Sequence, residues 1–78
     1  MKHPKAADAA LTSFLTIGER LHAAGAYTAA ARSLEIAVTR GEDVGKASYL
    51  LGQCYEQLDR PASAADAFAQ ARALGFQE

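Results

Sequence analysis

Apolar residues recur along this chain at intervals of three and four, and Gly, Pro and Asp residues punctuate the recurrence. Spacing of that kind marks amphipathic helices separated by short turns. The first helix is predicted to start near Pro4, which a first turn tolerates, and to run through Ala24 to Gly25. A second is predicted over Tyr27 to Arg40, stopping at Gly41, and a third over Gly45 to Leu58. A fourth opens at Pro61 and closes near Leu74, ahead of Gly75. Connections this short make neighbouring helices antiparallel.

The pattern occurs twice. Residues 11–44 and 45–78 align without a gap as two copies of one 34-residue unit. Setting Gly18 on Gly52 pairs Ile17 with Leu51, Leu21 with Tyr55, Ala30 with Ala64, Leu34 with Phe68 and Ala37 with Ala71. Self-similarity at this period is the mark of a stacked helical array. Residues 1–10 fall outside the repeat and lengthen the first helix by about two turns. The expected fold is therefore all-α, in a single domain: a short α-solenoid of two antiparallel helix-turn-helix repeats with an extended first helix.

Rotating each position by about 100° sorts the third helix into faces. Ser48, Leu51, Gly52 and Tyr55 share one side, expected to pack on Ala64, Phe68 and Ala71 of the fourth helix. Gly18 and Gly52, having no side chain, allow the two helices of each repeat to cross closely. Ala47 and Cys54 lie to the flank, where the second helix of the first repeat should meet them in a seam that includes Val38. Their equivalents at the open start are Ser13 and Arg20, and the equivalent of Val38 at the open end is Arg72. Polar residues at both outer faces are what solenoid caps require, so a complete two-repeat unit is expected. Leu74 or Phe76 could fold back to complete the cap.

On the third helix Lys46, Tyr49, Leu50, Gln53, Glu56 and Gln57 fall within an arc of about 120° away from the core side. The first helix places Thr12, Leu15, Glu19 and His22 at matching positions. Leu15, Tyr49 and Leu50 are apolar where solvent is expected, ringed by Glu19, Gln53 and Glu56. Three readings account for them: a groove that captures a partner peptide by apolar anchors, a contact between copies of the chain, or scattered surface apolar residues of the ordinary kind.

The second copy reads ASYLLGQCYEQLDRPASAADAFAQARALGFQE, and its spacing of Leu51-Gly52, Tyr55, Ala64 and Phe68 resembles the tetratricopeptide repeat. The first copy, FLTIGERL followed by GAYTAAARSLEIAV, is a weaker example. It departs from the pattern with Phe14 for the usual Trp and Glu42 for the common late Pro; the second copy has Ser48 and Phe76 there. The resemblance implies that the groove face above lines a concave surface receiving a peptide of another protein, as in adaptors and small secretion chaperones. Similar repeats that grip the acidic tails of heat-shock chaperones use Lys and Asn at positions where this chain has Leu15, Glu19 and Leu50. That ligand class is not expected.

Bulk properties narrow the picture further. Of the 78 residues nineteen are alanine and only six are aromatic, a helical composition with a small core. Eight Lys and Arg against nine Asp and Glu leave no electrostatic footprint for nucleic acid or an anionic membrane. No apolar run approaches the roughly 20 residues of a membrane span, and a lone cysteine suits a reducing compartment, so a cytoplasmic home is expected. Two repeats bury little surface against chain entropy, and a homo-oligomer, a dimer above all, is expected to supplement the core.

Catalysis, metal and cofactor are not expected. His3, His22 and Cys54 lack metal-ligand spacing, Cys54 belongs to the buried flank, and His22 with Glu19 reads as a solvated helix pair. The segment GEDVGKAS is one residue short of a phosphate-binding loop and follows a helix in place of a strand.

Overall fold

The computed structural model describes residues 13–76, which form four α-helices: α1 (Phe14–Ala23), α2 (Tyr27–Arg40), α3 (Val44–Gln57) and α4 (Pro61–Ala73). There is no strand among the described residues. The last three helices begin and end within one residue of their predicted bounds.

The first differs. A helix running unbroken from Pro4 to Ala24 is ruled out at Ser13, whose backbone is extended at φ −65° and ψ 127°. Its side chain caps α1 by accepting from the Thr16 N–H at 3.3 Å. Serine competes for backbone donors at the start of a helix better than it continues one, which periodicity alone does not register. The predicted extension over residues 1–10 lies outside the described residues.

A second group completes that cap from far along the chain. The Glu42 carboxylate, in the turn between α2 and α3, accepts from the Leu15 N–H at 3.0 Å, from the Ser13 hydroxyl at 3.2 Å and from Arg40 Nε at 3.1 Å. The Leu15 N–H above all holds the Glu42 carboxyl below its ordinary value, with Ser13 and Arg40 adding to it and burial working against it. A carboxyl depressed in the folded state stabilises the fold above its ordinary pKa, and that contribution disappears as pH falls through the folded value. Glu42→Gln is thus expected to lower urea resistance at neutral pH, the deficit closing in acid as the Glu42 carboxyl takes up its proton. A deficit that persists in acid would assign Glu42 a role other than charged cap.

The turns repeat with the period of the sequence. Ala24, Gly25 and Ala26 donate to the carbonyls of Arg20, His22 and Leu21 at 2.9–3.0 Å; Leu58, Asp59 and Arg60 donate to those of Cys54, Glu56 and Tyr55 at 2.8–3.1 Å. Every partner in the second set lies 34 positions after its counterpart. Gly25 and Asp59 both take left-handed backbone, φ 81° and 61°. The helix ends behave alike: Gly41 donates to Val38 and Glu42 to Ala37, as Gly75 does to Arg72 and Phe76 to Ala71. Such left-handed closures satisfy the last carbonyls of a helix and turn the chain sharply.

Each pair of successive helices is antiparallel. Phe14 lies under the Arg40 guanidinium, Gly18 meets Leu34, and the His22 ring stands edge-on to Tyr27. In the second hairpin Gly45 faces Phe76 and Gly52 faces Phe68. A Cβ on Gly18 would sit 2.6 Å from Leu34 Cγ and Cδ2, and one on Gly52 would sit 2.5 Å from the Phe68 ring. At both crossings a side chain in place of glycine would require its neighbour to shift.

Small residues make the interior. Ala30, Ala31, Leu34, Ala37, Ala47, Leu51, Cys54 and Ala67 form one buried cluster, with Val38 packed against it. Ala47 and Cys54 are completely enclosed, where the predicted seam puts them. Burial alone pushes the Cys54 thiol up to about 11, so it stays a neutral packing group. Tyr55 packs against the core cluster, and its hydroxyl donates to Glu35 on α2 at 2.5 Å, tying the two hairpins together. Burial and that carboxylate raise its pKa to about 12.

Ser48 is also fully enclosed, and its hydroxyl has no hydrogen-bond partner among the described residues. An unmet buried hydroxyl costs roughly 1–3 kcal/mol, and alanine is the better helix former. Ser48→Ala is expected to raise stability by about 1 kcal/mol in chemical denaturation, whereas a loss of stability would reveal an overlooked partner for the hydroxyl.

Candidate functional site

The predicted groove residues take up different settings. Thr12 lies outside the described residues. Leu15 and Leu50 are half-buried and packed against the core cluster, so neither is the exposed anchor that the pattern suggests. Glu19 and Lys46 spend their charges on each other, 2.5 Å apart, an arrangement that raises the Lys46 pKa through the Glu19 hydrogen bond. Exposed pairs of this kind contribute little to stability, but they remove both charges from the inventory available to a ligand.

The remaining five are brought together in two depressions that share the ridge of α3. The smaller, about 220 Å³, is lined by His22, Tyr27, Gln53, Glu56 and Gln57. The larger, about 590 Å³, lies on the other side of the ridge, between α3 and α4, and adds Phe68, Ala71, Arg72 and Phe76 to Tyr49, Gln53 and Glu56. A third depression continues past Phe68 and Glu56 to Asp59, Pro61, Ala64 and Ala65. The crevice between α3 and α4 is thus open along its length.

Three aromatic rings line it. The Tyr49 ring lies 5.6 Å from Phe68 and 5.1 Å from Phe76, both tilted, and its hydroxyl accepts from the Gln53 amide at 3.2 Å. Phe76 reaches this place because Gly75 closes α4 in left-handed backbone and the Phe76 N–H returns to the Ala71 carbonyl. The expected fold-back of the tail is therefore made by Phe76, but onto α3; Leu74 is left 55% exposed. Tyr49 is accordingly a half-covered ring in an aromatic cluster and not a free surface anchor.

Charge is distributed unevenly along the crevice. Arg72 lies at one end, Glu56 in the middle and Asp59 at the other end. Neither Arg72 nor Glu56 makes an ion pair among the described residues, in contrast to Lys46 and Glu19.

Phe68, Ala71, Arg72 and Phe76 escaped the reading of helix faces because that reading followed the leading helix of each repeat. A signal for them was present: 34 positions earlier stand Leu34, Ala37, Val38 and Glu42, the residues that α3 and its turn cover.

The described residues contain no group of His, Cys, Asp and Glu arranged to hold a metal ion, and no described helix is long and apolar enough to cross a membrane. His22 has its ring edge against Tyr27, and Cys54 is enclosed. No family model matches the chain, and neither a curated protein nor a solved structure matches it.

Proposed function

We propose that the chain is a two-repeat scaffold of the tetratricopeptide kind that binds a segment of a partner protein, acting as an adaptor or small chaperone. The recurrence of turn hydrogen bonds and of the glycine crossings at the sequence period supports the repeat arrangement. The observation that carries the binding reading is the open crevice of about 590 Å³ lined by Tyr49, Phe68 and Phe76 together with Gln53, Glu56 and Arg72. Apolar anchor sites with polar groups that orient the ligand are the usual form of a peptide site. The ligand surface thereby shifts from the leading helices alone to the space between α3 and α4.

Selection from a random peptide library, with the wild type and Phe68→Ser as paired baits, tests this reading. Enrichment of a consensus by the wild type alone is expected. Absence of any consensus, or the same consensus from both baits, would remove it. The competing reading is self-assembly, favoured by the exposure of Ile36 and Leu74, at 42% and 55%. It requires a melting temperature that climbs with protein concentration.

A further inference from the structure

The space beside α1 and α2 that corresponds to the crevice between α3 and α4 is covered by α3, which packs along α2 and reaches α1 through the Glu19–Lys46 pair. The contrast appears residue by residue. Ala31 is 5% exposed and Leu34 fully enclosed, whereas their equivalents Ala65 and Phe68 are exposed and half-exposed. Phe76 is not a substitute for a helix there, because it stands against Tyr49 as Glu42 stands against Leu15.

We propose that the second crevice receives an amphipathic α-helix of a partner protein, seated on α3 and α4 as α3 is seated on α1 and α2. This rests on the peptide-binding reading and narrows it to one ligand conformation and one charge pattern. The seam side of the bound helix carries apolar residues at the spacing of Ala47, Leu51 and Cys54, which are buried in one cluster with Ala31 and Leu34. Its charges follow from the same equivalence. Arg72 replaces Val38, which stands one turn before the tight link into the first turn of α3, so the first turn of the bound helix meets Arg72 and is acidic. Glu56 replaces His22, which borders the last turns of α3 at Gln53 and Gln57, so the last turn meets Glu56 and is basic. Acidic start and basic end also suit the dipole of the bound helix.

A second copy of the chain fits poorly. The face of α1 equivalent to the seam carries Ser13 and Arg20 where α3 has Ala47 and Cys54. Seating Arg20 where Cys54 is fully enclosed would strip a charge of water. A helix from another protein is not bound by that sequence.

The test uses three labelled synthetic peptides of the 14-residue length of α3, titrated against the whole chain and followed by fluorescence anisotropy. One is stapled as a helix with Ala, Leu and Ala at the seam spacing, Asp in the first turn and Lys in the last. The second reverses those charges. The third is the first without its staple and with a central proline. Saturable binding of the first is expected, with the second weaker by about 3–10-fold. The order of the two should invert on the Arg72→Asp, Glu56→Lys variant, both changes being at exposed positions that leave the fold intact. Ala65→Arg, also exposed, should abolish binding. Equal or tighter binding of the proline peptide overturns the helical ligand while leaving peptide binding in place. Failure of all three peptides overturns the proposal; if the library selection still yields a consensus, the broader reading survives it. Self-association that Ala65→Arg abolishes overturns it in favour of a second copy.

Discussion

Gly18→Val is expected to cost about 3 kcal/mol or more, enough to leave much of the protein unfolded, whereas Gly52→Val is expected to cost about 1 kcal/mol. The two glycines occupy equivalent positions, and a Cβ at either would overlap its partner by a similar amount. What differs is the freedom of that partner. At Gly18 the clash falls on Cγ and Cδ2 of Leu34, a side chain with no exposed surface and packed neighbours on every side. Leu34 can yield only by displacing α3 or by pushing α2 away from α1. At Gly52 the clash falls on ring atoms of Phe68, which is half-exposed beside the open crevice. The ring can swing outward, and the loss of glycine from a helix interior offsets part of the remaining strain. Urea denaturation of both variants reads the difference; equal costs would mean that the two crossings are equally confined.

Leu34→Ala attacks the same contact from the other side. Complete enclosure places it at the upper part of the range for such truncations, about 3–4 kcal/mol, because the removed atoms leave a void that α1, α2 and α3 all border. For a chain of this length that approaches the entire stability expected. Phe68→Ala removes a larger side chain and in an ordinary core would cost more. Here it should cost about 1–2 kcal/mol, since part of the ring already meets water and the crevice simply widens. An order in which the smaller residue matters more is the signature of one covered hairpin and one open hairpin. The reverse order would show that Phe68 is covered in solution.

Much of this was legible in the chain itself. The four helices follow from apolar spacing and from Gly25, Gly41, Pro61 and Gly75, which end or begin them. Setting Gly18 on Gly52 singled out the two glycines that lie closest to a neighbouring helix, and rotation about the third helix put Ala47 and Cys54 on the flank that is enclosed. What it did not show are the features that depend on distance in space. The capping of α1 by Ser13 and Glu42 joins residues 29 positions apart. The pairing of Tyr55 with Glu35 crosses between hairpins, and rotation about one helix axis does not reveal which neighbour a long side chain will choose. The site moved for a related reason. Treating the leading helices as a groove assigned Leu15 and Leu50 to solvent, yet packing of α3 into the first hairpin half-buries both. The same packing, absent from the second hairpin, leaves Phe68 and Arg72 at an open surface.

The central claim is that one seat between paired helices is filled by α3 and its equivalent is open. Ala31 and Ala65 probe the two seats directly, each following another alanine, Ala30 or Ala64, and each exchangeable for cysteine with little change in size. Native Cys54 is enclosed and does not compete for reagent. Timed labelling of Ala31→Cys and Ala65→Cys with an alkylating agent, counted by intact mass, measures their accessibility in the folded protein. The account predicts that Ala65→Cys labels at close to the rate of the urea-unfolded chain, while Ala31→Cys is slower by about 100-fold or more, gated by opening of the fold. Equal rates at the two positions, fast or slow, would contradict it.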